Sequence, residues 1–260
     1  MRFSCLSLFP ELIEAYFHSS VMGRARDHKC FELCSYQIRD FAINDYGKVD
    51  DALYGGGTGM LMMAEPIYRA AEKAREMYRK EHGEAGKERV IYLSPRGDCL
   101  SQEKAASYLK ADHLILICGH YEGVDQRVLD ELDAEECSIG DYVLSGGELP
   151  AAVLIDVCAR MIPGVLPDAS AWQEDSHAQG LLEADQYTRP ETWRNRNVPP
   201  VYLSGHAARI QEAKRRSSLL NTLRSRPELL EKADLDESDY LLLAEQMKAE
   251  KASGTTVLPS

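Results

Sequence analysis

The run Leu-Ile-Leu-Ile-Cys at residues 114–118 is apolar at every position, and it restricts the fold more than any other feature of the chain. A strand with one wet face alternates polar and apolar residues. A strand that is apolar throughout is covered on both faces, which is the condition of a parallel sheet between helices. Residues 2–8, 31–38 and 89–95 (RVIYLSP, ending at Pro95) read as strands of the same series. Helical patterns lie between them. Over 65–82, Pro66 suits a first turn, and Ile67, Ala70, Ala71, Ala74, Met77 and Tyr78 share one face. Further helices are expected from about Ser101, over 125–132, and from Pro150 to Met161. Residues 141–145 (DYVLS) read as a last strand that breaks at Gly146-Gly147 into that final helix. The pattern predicts an α/β fold with a mainly parallel sheet.

The texture changes after residue 165. Residues 167–180 (PDASAWQEDSHAQG) are small, polar and without period, and beyond His206 the chain is helical in pattern. The expected organisation is a domain over 1–165, a mobile linker over 166–180, and a small, mainly helical domain over 181–260 with a frayed tail. The net charge of −12 argues against a nucleic-acid partner, but its distribution does not. From Arg189 to Arg226 there are nine basic residues against two acidic ones, a local charge of +7 that leaves −19 for the rest. A basic stripe of this kind grips phosphates or is a solvated helix face, and composition alone does not choose. The seven cysteines (5, 30, 34, 99, 118, 137 and 158) include no C-x-x-C pair, and the histidines no H-x-x-x-H pair. Reduced, cytoplasmic thiols are expected, without a disulfide framework or a transition-metal site. No run of 18 apolar residues occurs, and Pro10 and Glu11 come too early for a secretory signal.

Three glycine-bearing loops follow strands at the carboxyl edge of the expected sheet: 94–97 (SPRG), 118–125 (CGHYEGVD) and 138–150 (SIGDYVLSGGELP). That edge is where open α/β sheets bind ligands. None of the loops is a G-x-G-x-x-G fingerprint. The cluster at 54–62 (YGGGTGMLM) lacks the Lys-Ser/Thr of a phosphate loop, and no G-x-S-x-G elbow exists. What remains is a backbone-lined pocket for a compact ligand.

The segments 49–63 (VDDALYGGGTGMLMM), 92–97 (YLSPRG), 114–128 (LILICGHYEGVDQRV), 138–166 (SIGDYVLSGGELPAAVLIDVCARMIPGVL), 174–176 (EDS) and 181–210 (LLEADQYTRPE through VPPVYLSGHAARI) resemble, in order, the bacterial tRNA (guanine-N1)-methyltransferases. These belong to the knotted SPOUT superfamily. The likeness runs from Leu6 to Leu230. It implies a deep trefoil knot whose loops clasp S-adenosylmethionine. Gly146 and Gly147, with the backbone of Ile139, Gly140, Asp141, Tyr142, Val143 and Leu144, would line the adenine pocket, flanked by Ser138 and Pro150. Tyr92, Leu93, Ser94, Pro95, Gly97, Gly119, Tyr121 and Glu122 would form the opposing walls, with Glu122 at the methionine end or capping a helix.

The resemblance further implies methylation of guanine N1 in tRNA just 3′ of the anticodon (G37), which supports reading-frame maintenance. Guanine N1 carries a proton at neutral pH. A carboxylate must take it, and a cation should face the charge that develops on O6. By matching motif these are Asp175 as general base and Arg160 as charge stabiliser. Mg²⁺ assistance is compatible with that chemistry. A homodimer with active sites at the subunit interface is implied, and no membrane partner. The base must leave its stack to expose its Watson–Crick edge. Arg189, Lys214, Arg215 and Arg216 are then phosphate-contact candidates. Asp50 and Asp51 either position the anticodon loop or form a polar turn, and Trp172 and Trp193 either stack on bases or pack. Two competing readings are a non-catalytic RNA-binding protein with a vestigial pocket and a methyltransferase of ribosomal RNA or of a ribose hydroxyl. Joint retention of Asp175, Arg160 and the 138–150 loop favours the enzyme.

Overall fold

The computed structural model describes the chain except residues 45, 84–85, 169–171, 173–174, 178–179 and 254–260, and the side chains of 250–253. It divides into two compact units, Met1–Ala169 and Ser170–Ser260.

The first unit holds five parallel strands, β1 (Arg2–Ser7), β2 (Glu32–Gln37), β5 (Glu88–Cys99), β6 (His113–Cys118) and β7 (Glu135–Ser138), in the order β2-β1-β6-β5-β7. A separate antiparallel pair is made by β3 (Asp50–Ala52) and β4 (Met60–Met62). The helices of this unit are α1 (Pro10–Phe17), α2 (Ser20–Asp27), α3 (Ala64–His82), α4 (Gln102–Tyr108), α5 (Gln126–Glu131) and α6 (Glu148–Arg160). Successive strand residues point to opposite faces, so each strand feeds two cores. Phe3, Ile91, Leu114 and Leu116 join one core with Ile13, Phe17, Leu154 and Ile155. Leu6, Val90, Ile115 and Ile117 join the other with Ile67, Ala71, Ala74 and Val128. The unbroken apolar runs are thus strands coated on both sides, as their composition predicts.

Two expectations fail at the strand ends. The strand from 89 does not stop at Pro95. It bulges between Leu93 and Asp98 and resumes pairing with β7, Asp98 against Cys137 and Cys99 against Ser138. Proline has no N–H to give a ladder, and a bulge is where a sheet tolerates it. Residues 141–145 are not a strand either. The last strand of the five-stranded sheet is Glu135–Ser138, and 139–147 is an open loop in which Tyr142, Val143 and Leu144 are exposed. Gly140, at φ +148°, turns the chain out of the sheet, and the Ser138 hydroxyl accepts from Gly140 N at 3.1 Å. The apolar run 142–144 faces a cleft instead of a core.

The second unit contains a hairpin of β8 (Thr192–Trp193) and β9 (Arg196–Asn197), then α7 (Pro200–Leu203), α8 (Ala207–Ser225), a 3-10 turn at Pro227–Glu231, and α9 (Glu237–Ser253). Its small core is built on Leu181, Leu219, Leu223 and Leu243. Arg215 of α8 reaches buried Asp239 of α9 at 2.6 Å. Of the stretch expected to be a mobile linker, residues 169–171, 173–174 and 178–179 lie outside the described residues, as does the tail from 254.

Candidate active site

The bulged stretch 92–96 of β5 and the segments 119–124 and 137–147, at and beyond the carboxyl ends of β6 and β7, surround a cleft of about 460 Å³. That volume suits a small molecule. Leu93, Pro95, Ile139, Leu144 and Pro150 supply apolar wall, and Glu122 a carboxylate at an exposed position.

Glycine is required here for a reason the sequence did not reveal. Neither Gly146 nor Gly147 has a positive φ. A β-carbon on Gly147 would stand 2.6 Å from Cys118 Cα and 2.9 Å from Gly119 N, because the Gly147 amide donates to Gly119 O at 2.9 Å. A β-carbon on Gly146 would strike the His120 ring. The pair lets one loop press on the backbone of another within the protein itself. Gly119 likewise lies under the Tyr92 ring, 2.9 Å from where its β-carbon would be.

The loop after β6 is pinned from two sides. On one, Met62 N donates to Gly123 O at 2.9 Å and Glu122 N to Met60 O at 3.0 Å, which brings the β3–β4 hairpin against it. On the other, His120 Nε2 lies 2.7 Å from Glu148 Oε2 while the Ser7 hydroxyl donates to Glu148 Oε1 at 2.5 Å. Glu148 is buried at the first turn of α6, so one carboxylate joins β1, the β6 loop and α6. Tyr121 is held at φ +58°, unusual for a bulky residue, and is half exposed over the cleft. Two thiols nearby, Cys118 and Cys137, are fully buried. Burial pushes Cys118 well above its ordinary value, and burial is also the largest influence raising Cys137.

Most of the expected pocket residues therefore meet around one cleft. Gly97 and Asp141 are not among its lining residues. Gly97 instead presses on the backbone of Glu136 and Cys137, where no side chain fits. Residues unremarked in the sequence also line it: Leu61, Arg96, His120, Val124, Gln126 and Ser145. His120, Val124 and Gln126 fall inside the motif at 114–128 and were legible by position. Leu61 falls inside the motif at 49–63, but only the fold brings its hairpin to the cleft. Arg96 is paired with Glu136 at 2.8 Å.

The remaining candidates are spread along the chain. Arg160 ends α6 in the first unit, and Asp175 lies in the second, its amide donating to Trp172 O at 3.4 Å. Asp50 and Asp51 begin β3, and the Lys48 ammonium, 2.7 Å from Asp51, holds that carboxyl below its ordinary range. Arg189 and Arg216 are exposed and Lys214 is half-buried, while Arg215 is engaged by Asp239. Among the described residues, one group of ligand atoms is compact enough for a cation: Glu32, Glu81 and His82. The Arg2 guanidinium already bridges both carboxylates, and the group lies at the amino ends of the strands, away from the cleft. Mg²⁺ assistance gains no support from it.

Residues 1–232 match the family described as tRNA (Guanine-1)-methyltransferase TrmD. The chain belongs to this family. Proteins named tRNA (guanine-N(1)-)-methyltransferase are similar to it over nearly their whole length. That of Ruminiclostridium cellulolyticum is 47% identical over 232 residues, 89% of this chain and 97% of the relative. That of Alkaliphilus oremlandii is 46% identical over 96% of this chain and 100% of the relative, and that of Dehalococcoides mccartyi 44% over 98% and 100%. As a member of the tRNA (guanine-1)-methyltransferase family the chain is a transferase, and the cleft lies wholly inside the matched residues. No described helix is long and apolar enough to cross a membrane.

Proposed function

We propose that the protein transfers a methyl group from S-adenosylmethionine to N1 of guanine in tRNA, immediately 3′ of the anticodon, in the cytoplasm. The observation that carries this reading is the glycine-crossed cleft at the carboxyl edge of a parallel sheet, inside a family match that spans residues 1–232. Its size, its apolar walls and the narrow approach beside Gly119, Gly146 and Gly147 suit a flat adenine with a short charged tail. When bound, S-adenosylmethionine supplies an electrophilic methyl on a sulfonium. Gly97 against β7 and Gly147 against the β6 loop are backbone crossings closer than any side chain permits, and they support a knotted path. Knots are rare enough to need such a reason.

The protein's own residues do the rest. Asp175 takes the N1 proton, and Arg160 faces the charge that grows on O6. The His120–Glu148–Ser7 link holds the two glycine loops at a fixed spacing, so the methyl donor and the base meet in one geometry. Glu122 receives the cationic amino end of the donor. Arg189, Lys214 and Arg216 contact phosphates, and Asp50 and Asp51 border the anticodon loop.

The active assembly is a homodimer whose sites lie between subunits. Supporting this, α1 and α6 pack together, with Tyr16 donating to Asp156 at 2.5 Å, and both expose apolar side chains: Leu12, Tyr16, Leu149 and Val153. An exposed apolar patch on paired helices suits self-association.

The test is transfer from labelled S-adenosylmethionine to unmodified tRNA, with the product mapped. The expected product is 1-methylguanosine beside the anticodon. Asp175→Ala should lower kcat by about 10²- to 10⁴-fold with donor affinity intact. Transfer only to ribosomal RNA, or to a ribose hydroxyl, would sink the reading. Full activity in Asp175→Ala would remove that residue from the mechanism.

A further inference from the structure

The hairpin at Thr192–Asn197 contributes no residue to the apolar core of the second unit, and its composition does not suit a plain turn. Trp193 is 59% exposed, on a strand of two residues whose side chains are both exposed. Arg194 and Asn195 both have positive φ, +47° and +64°. A two-residue turn of this type favours Asn-Gly, and an arginine in the left-handed region is strained. The strained position places the Arg194 guanidinium 5.0 Å from the centre of the Trp193 ring. Arg196, the register partner of Trp193, is exposed as well. Glu191 is the one acidic residue between Arg189 and Asn197. The hairpin is closed by Thr192 Oγ1 to Asn197 Oδ1 at 2.8 Å and by Val198 N to Glu191 O at 2.9 Å, so its tip is presented on a defined frame.

We infer that the 192–197 hairpin is an RNA contact, with the Trp193 ring stacking on an unstacked base of the tRNA while Arg194 and Arg196 take the adjoining phosphates. It rests on the proposed tRNA reading and deepens it. An indole face accepts any base, and an arginine beside it adds cation attraction without sequence choice. Unstacked loop or end nucleotides are the parts of an RNA that offer a free base face. Three of the nine basic residues of the +7 segment, Arg189, Arg194 and Arg196, lie in this hairpin or within three residues of it, where a phosphate would meet them.

The chain has two tryptophans, so in Trp172→Phe the emission reports on Trp193 alone. Titration with unmodified tRNA should quench it. Trp193→Ala should weaken tRNA binding about 5- to 100-fold, Trp193→Phe should restore most of that, and S-adenosylmethionine affinity should stay unchanged. Arg194→Ala with Arg196→Ala should lower the slope of log K against log salt by about one for each phosphate contact removed. Equal tRNA affinity in Trp193→Ala, with no quenching and with normal methyl transfer by the unsubstituted protein, would overturn the inference alone. Quenching that follows protein concentration without RNA would overturn it in favour of a second copy on the hairpin. No transfer by the unsubstituted protein to any tRNA would sink the functional reading and this one together.

Discussion

Gly147 shows what a single residue contributes at the candidate site. Its missing side chain matters because Cys118 Cα and Gly119 N already occupy the space. Backbone atoms cannot step aside as a flexible side chain can. Gly147→Ala should therefore destabilise the fold by about 1–3 kcal/mol, and it should weaken donor binding by moving the 119–124 loop. Thermal unfolding beside calorimetric titration with S-adenosylmethionine checks this, and an alanine variant as stable and as tight as the parent would refute it. Gly146 is a milder case, since the atoms it would meet belong to the His120 and Glu148 side chains. The importance of the glycine pair was legible in the sequence, as a bare-backbone break before an apolar helix. Its cause was not, because the opposing backbone lies 28 residues away and only the folded chain brings it near.

At the scale of elements, the two ends of the parallel strands do different work. The carboxyl ends open into the cleft, while the amino ends carry a web of charge. Glu88 of β5 meets Arg75 of α3 and His113 of β6, and Glu32 of β2 meets Arg2 of β1 and His82 of α3. Burial raises the Glu88 carboxyl, but the His113 ring 3.4 Å away and the hydrogen bond from Arg75 outweigh it and leave the group below its ordinary range. Glu32 and Glu135 are lowered in the same way, Glu32 through His82 and Arg2, and Glu135 through Tyr108 and Lys104. A carboxyl lowered in the fold takes up its proton first in the unfolded chain. Its contribution is complete above the unfolded value near 4.3 and is lost as pH falls through the folded value. The melting temperature should therefore decline as pH drops below about 4.3, and Glu88→Gln should flatten that decline. Melting curves from pH 3 to 6 decide it, and an unchanged slope in the variant would count against the web. The strands themselves were readable from apolar runs. Their ends were not, since Pro95 reads as a stop yet sits in a bulge, and 142–144 reads as a strand yet lines a cleft.

At the scale of the whole molecule, the proposed homodimer rests on the exposed apolar side chains of α1 and α6. Leu149→Asp, on a residue 61% exposed in the single chain, should leave the subunit folded. In a dimer that uses this face, the same change buries an unpaired charge, and it should yield monomers with methyl transfer reduced at least tenfold. Sedimentation with an activity assay distinguishes the outcomes, and a fully active dimer would exclude this face. The sequence by itself determined the class of fold, because apolar runs with no alternation leave a buried parallel sheet as the stable arrangement, and its ordered motifs sufficed to place the family. The tertiary structure alone decided which backbones touch, where β5 and β7 end, and that Glu148 ties Ser7 to His120. Those contacts join residues far apart in the chain, and local pattern holds no information about the distance between them in the fold.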